Sequence, residues 1–93
     1  MDVRQALASA LKTIRSARGL TQEDFSDVSS RTYLSALERG LKSPTIDKLQ
    51  ALAEVLNVHP VTILALTFST AEHCSQDELL AKVKQELRSV ARE

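Results

Sequence analysis

The stretch from Thr21 to Pro44, TQEDFSDVSSRTYLSALERGLKSP, constrains this chain more than any other. It has room for a short helix over about 22–27, a turn at Ser29 and Ser30, a second helix over about 31–38, and an exit at Gly40. Thr21 with Asp24 three residues on makes a helix start, and Ser30 makes the next, because their side-chain oxygens can accept from unpaired first-turn N–H groups. Phe25 is the expected inward anchor. In the second helix Leu34 and Leu37 lie three apart and face the core with Glu38 at its edge, leaving Arg31, Thr32, Ser35 and Ala36 outward or partly outward. Two short helices joined by a tight turn form a unit that can lay its second helix in a DNA major groove.

The surroundings read as helices too. Val3, Leu7, Ala10, Leu11, Ile14 and Ala17 recur at intervals of three and four, predicting an amphipathic helix over 3–18 that ends at Gly19 in a left-handed conformation. Lys12 and Arg18 are expected to face water, Arg15 borders the apolar stripe, and Leu20 is placed to fold back as a lid. Thr45 caps a helix over about 46–56 with a stripe of Ile46, Leu49, Leu52, Ala53 and Leu56, closed by Asn57 as a left-handed cap. His59 and Pro60 start a short, almost wholly apolar helix over about 60–66, which needs cover on more than one side. Residues 67–74 read as a polar, irregular connection. Ser75 and Glu78 then form a capping box that opens a helix running to about Arg92. Its positions Leu80, Val83, Leu87 and Val90 make a seam too short to pair two helices by itself. Packed with the preceding helix, it can complete a two-fold interface or stay within one chain.

A chain of 93 residues is one domain at most, and its apolar residues are aliphatic apart from Phe25, Tyr33 and Phe68, the usual filling of packed helices. Twelve basic side chains balance twelve acidic ones, so the whole molecule makes no electrostatic case for nucleic acid. The distribution is uneven: residues 1–48 carry eight basic and six acidic side chains, compatible with a mildly basic face. Cys74 alone cannot form an internal disulfide, and no cysteine and histidine spacing suits a metal, so neither metal nor other cofactor is expected. Asp77 and Glu78 are helix-start residues, and no nucleophile, base and orienting group converge, so an enzyme is not expected. With no apolar run near 18 residues and no secretory start, the expected location is the cytoplasm, with no membrane partner.

The run from Leu11 to Leu56, LKTIRSARGLTQEDF through YLSALERGLKSPTIDKLQALAEVL, resembles the lambda-repressor-like, Cro and repressor type helix-turn-helix family, also called the xenobiotic-response-element or XRE family. The resemblance covers roughly residues 5–66. It implies an all-α, five-helix DNA-binding domain over 1–66, followed by a linker and an additional C-terminal amphipathic helix over 67–93 as dimerisation element. It further implies that Gln22 hydrogen-bonds a phosphate and buttresses the recognition helix, that Arg31 and Thr32 read bases, that Arg39 and Lys42 touch the DNA backbone, and that Arg15 and Glu38 form a partly buried ion pair. Ala36 falls where some members carry a base-reading glutamine; it can only touch a thymine methyl, which gives Tyr33 more weight in DNA binding, while the short side chains of Thr32, Ser35 and Ala36 let the helix sit close to a base-pair edge. The span from Thr21 to Gly40 is two residues shorter than the common form and lacks the turn glycine, so either its first helix ends early or the turn is tighter.

The implied function is a transcription regulator, a repressor or tuner, binding double-stranded DNA as a homodimer on an inverted repeat. The expected dimer surface is Ile63, Leu66, Phe68, Leu79, Leu80, Val83, Leu87 and Val90. The alternative is an antitoxin-like or accessory module that binds another protein through the same surface, its DNA binding serving autoregulation.

Overall fold

Asp2 opens the first helix by accepting the Gln5 N–H on its carboxylate at 2.9 Å, the local signal from which a computed structural model, describing residues 1–91, builds helix α1 over Val3–Ala17. A 3-10 turn follows at Gln22–Phe25, then α2 over Arg31–Glu38, α3 over Ile46–Leu56, α4 over Pro60–Ala71 and α5 over Gln76–Val90. The described residues are thus all helical in class. No single helix among them is long and apolar enough to cross a membrane.

The core is one aliphatic cluster around Phe25. Leu7, Leu11 and Ile14 of α1, Leu34 and Leu37 of α2, Leu49, Leu52 and Leu56 of α3, and Ile63 of α4 meet there. Fully burying each such side chain contributes roughly 1.5–3 kcal/mol. α1 lies mainly along α4 and braces α2. Gly19 and Asn57 stop their helices in left-handed conformations, φ +69° and +57°. Ser30, Thr45, His59 and Ser75 all accept first-turn N–H groups, the cap at His59 being its Nδ1.

Several sequence expectations need correction. The helix expected over 22–27 is a single 3-10 turn, with Asp24 N–H donating to the Thr21 carbonyl and Ser26 N–H to that of Glu23. The shortened span is therefore absorbed before the turn, by winding three residues per turn instead of 3.6. The segment expected as irregular from Thr67 is the second half of α4, which crosses the expected boundary at residue 66 and leaves the short turn at 72–75 as linker. Thr67 and Ser69 are buried there because their hydroxyls donate back to the Ile63 and Leu66 carbonyls at 2.7 and 3.2 Å, so neither is left unpaired. Ile46, assigned to the α3 stripe, is 84% exposed, and Val3 and Ala17 at the ends of α1 are exposed too, while Ala6 and Ala8 are buried. Arg18 does not simply face water: its guanidinium donates to the Leu56 and Asn57 carbonyls at 3.0 and 3.2 Å, closing the end of α3. The end of the last helix at Arg92 lies outside the described residues.

Candidate nucleic-acid interface

α2 is presented by a hydrogen-bonded node beneath it. Glu38, only 4% exposed at the end of α2, accepts from Arg15 Nε at 2.7 Å and Arg15 Nη2 at 3.0 Å, a bidentate pair across α1 and α2. Arg15 Nη1 donates in addition to the Leu20 carbonyl at 3.0 Å, which holds the chain reversal after α1. The bond to Glu38 raises the Arg15 pKa above its ordinary value, burial opposing and the Glu38 charge reinforcing the shift. The pair fixes geometry more than it adds stability, since desolvation offsets much of its attraction.

Gln22 Nε2 donates to Glu38 Oε1 at 3.1 Å, so the 3-10 turn is joined to the far end of α2. A carboxamide carries two N–H groups, so one remains to donate outward. Gln22, Arg31, Thr32, Ser35 and Arg39 line one open concavity of about 360 Å³ on the outer side of α2. Arg31 stands 3.8 Å from Glu23, both well exposed, so the ion pair is loose and the guanidinium stays available. Arg39 Nε turns back to the Ser35 carbonyl at 3.4 Å. Lys42 lies apart from this concavity, its ammonium 5.6 Å from the centre of the half-buried Tyr33 ring.

Two expected contact residues are displaced from their surfaces. Ala36 is buried at 6% exposure rather than outward, so its methyl group packs inside the protein. Ile63 is fully buried in the core of its own chain, leaving the expected dimer surface to its neighbours.

That second surface lies between α4 and α5. Val61, Leu64, Ala65 and Phe68 of α4 and Leu79, Leu80 and Val83 of α5 line a groove of about 380 Å³, with Glu72, Lys82 and Glu86 among its lining residues. Leu66 packs partly against the core. Leu87 and Val90, at 58% and 76% exposure, continue the apolar row beyond the groove. Lys48 is the residue at α2 that sequence reasoning missed: its ammonium donates to the Val28 carbonyl and lies 5.5 Å from the Tyr33 ring centre. A lysine in a helix facing a carbonyl twenty positions away leaves no periodic signal.

A 3-10 turn, a tight reversal and an outward α2 held on a helical core define a helix-turn-helix protein. The comparisons agree: a family model described as helix-turn-helix matches residues 11–63. The chain is 40% identical over 72 residues to the HTH-type transcriptional regulator y4dJ of Sinorhizobium fredii, covering 75% of this chain and 94% of that protein. It is 34% identical over 59 residues to control protein C.SmaI of Serratia marcescens, covering 61% and 70%. A crystal structure of the clp gene regulator ClgR from Corynebacterium glutamicum matches with a TM-score of 0.69 at 28% identity, over 75% of this chain and 94% of that one. A second ClgR structure matches in fold over 100% and 98%, with a TM-score of 0.72 at 22% identity. The chain belongs to the helix-turn-helix family of XRE, Cro and repressor type, and is a DNA-binding transcriptional regulator.

Proposed function

We propose that this regulator works as a homodimer on an inverted-repeat operator, α2 of each copy entering successive major grooves about 34 Å apart on one face of the duplex. The observation that carries this reading is the grouping of Gln22, Arg31, Thr32, Ser35 and Arg39 around one concavity on the outer side of α2. Arg31 suits bidentate donation to guanine, and Thr32 and Ser35 are short enough to let the helix approach base edges. Gln22, Arg39, Lys42 and the Tyr33 hydroxyl supply backbone contacts, which set position without reading sequence. The apolar groove between α4 and α5, with Leu87 and Val90 beyond it, supports the second copy. In this reading the elements from α1 to α3 hold the DNA, and the groove faces of α4 and α5 pair the copies.

The same groove also fits a different protein, as an antitoxin-like module would require. Sedimentation of the purified chain separates the two: a concentration-dependent dimer supports the homodimer, and a strict monomer isolated with a stoichiometric second protein supports the module. The DNA reading is tested by selecting bound sequences from a random duplex library and titrating the winner at stated salt. A two-fold-symmetric site, with Arg31→Ala losing about 1–3 kcal/mol of discrimination, is the expected result. A winner without two-fold symmetry, or full discrimination in the variant, overturns it.

A further inference from the structure

Lys48 reaches from α3 to the entrance of α2. Its ammonium donates to the carbonyl of Val28 at 2.5 Å and lies 5.5 Å from the ring centre of Tyr33. Val28 stands two residues before the α2 cap Ser30, and the Tyr33 N–H is the group that Ser30 Oγ accepts at 3.1 Å. One side chain thus holds the last part of the reversal and the first turn of α2 together.

The electrostatics argue that this contact is there for position. The N-terminal end of a helix is already partly positive, so a cation beside it is unfavourable. α2 has no acidic residue in its first turn, begins with Arg31, and has Lys42 on the same Tyr33 ring. Among the described residues, Lys42 and Lys48 have no carboxylate within salt-bridge distance. What compensates the Lys48 ammonium is the Val28 carbonyl and the face of the Tyr33 ring. The reversal it joins lacks a glycine, and its own backbone bonds, the Val28 and Ser29 N–H groups donating to the Phe25 carbonyl at 3.0 and 2.9 Å, stop short of α2.

We infer that Lys48 is a positioning residue for DNA reading: by clasping Val28 and Tyr33 it sets the entry angle of α2, and so the register in which Arg31, Thr32 and Ser35 meet base edges. It acts through those residues and not through a DNA contact of its own. The inference rests on α2 being the reading helix but not on dimerisation or on the symmetry of the site.

The test uses the full chain, with Lys48→Met keeping most of the unbranched apolar stem and removing the charged donor, and Lys48→Arg restoring a donor that also stacks on a ring. Affinity is measured for the library-selected duplex and for a scrambled one over a series of salt concentrations. In Lys48→Met the affinity ratio between the two duplexes falls about tenfold, the discrimination that one good base contact supplies. The dependence of log K on log salt keeps its slope, and Lys48→Arg returns the ratio to near wild type. A slope reduced by about one shows that the ammonium neutralises a phosphate instead and overturns the inference. An unchanged ratio overturns it as well. A DNA-free measurement decides the matter even where no sequence is selected. Amide exchange at the hydrogen-bonded N–H groups of Ser29, Tyr33 and Leu34 accelerates about tenfold or more in Lys48→Met while the amides of α1 and α4 keep their protection. Equal exchange in both proteins overturns the clasp.

Discussion

α1 and α5 are both fifteen residues long, both capped by an acceptor that takes the N–H three positions on, and both carry an apolar row at helical spacing. Their fates are opposite. α1 buries Ala6, Leu7, Ala8, Ala10, Leu11 and Ile14 between α2 and α4, whereas no residue of α5 is buried. Periodicity states that a face requires cover; it does not state which element supplies it. For α1 the cover is the rest of the same chain. α5 leans on α4 through Leu79, Leu80 and Val83 and leaves Leu87 and Val90 to water. The proposal that a second copy covers them follows from this difference.

The comparison can be broken first at the core that α1 helps to form. Leu52→Ala removes a fully buried side chain and is expected to cost about 2–5 kcal/mol in denaturant unfolding. A loss below that range would mean that the α1–α4 body is less tightly packed than its burial indicates. Arg15→Met leaves Glu38 buried with Gln22 as its remaining side-chain donor, and is expected to cost about 2 kcal/mol, less than for a fully enclosed pair because Arg15 is partly hydrated. DNA discrimination should fall with it, since the same node holds α2; calorimetry and titration on one preparation check both.

Gly40→Ala probes the exit from α2. The glycine sits at φ +74°, and an added Cβ would come within 2.5 Å of Gln5 Nε2. A cost of about 1–2 kcal/mol in thermal unfolding is expected from the left-handed backbone, with the flexible Gln5 amide able to swing aside. Leu87→Lys sharpens the contrast from the other helix. It should leave the stability of the dilute monomer within about 0.5 kcal/mol, because Leu87 is 58% exposed, while weakening the dimer about tenfold or more in sedimentation equilibrium. Equal dimerisation would place the interface elsewhere.

The smallest expected effect concerns the start of α5. Hydrogen bonding with the Ser75 backbone N–H and then its hydroxyl holds the Glu78 carboxyl below its ordinary 4.5. A lowered folded value means that the contribution is present above pH 4.5 and disappears as pH falls through the folded value. In acid the protection of the first-turn amides of α5, relative to an unstructured chain at the same pH, should therefore fall, with that of α1 unchanged. A Glu78→Gln variant whose protection there is low at neutral pH and does not fall further in acid would confirm the carboxylate as the cause.

Much of this was legible in the sequence. Ser30, Thr45, His59 and Ser75 were readable as caps, and Gly19 and Asn57 as left-handed stops, because each depends on atoms within a few residues. Arg15 beside an apolar row, together with Glu38, became readable as a pair through the family resemblance. Ala36 was not: whether a small residue between Leu34 and Leu37 faces in or out depends on how far α1 wraps around α2. Thr67 and Ser69 read as polar connection because residue type alone does not reveal that a hydroxyl will bond its own helix. Arg18 and Lys48 were missed for a third reason, since each finds a backbone carbonyl at a distance of 38 or 20 positions.

What the sequence determined by itself was the local grammar of helices: where they start and stop, which face of each is apolar, and that the family is one that reads DNA. The helix signals follow from hydrogen bonds and spacings inside one or two turns, and the family from the resemblance of the run Leu11 to Leu56. The tertiary structure decided the rest: that the first element of the motif is a 3-10 turn, that α4 runs five residues beyond the expected stop, and that α1 is covered while α5 is not. Those outcomes depend on how much neighbouring surface is available at each face. That quantity is set only when all the helices have been placed.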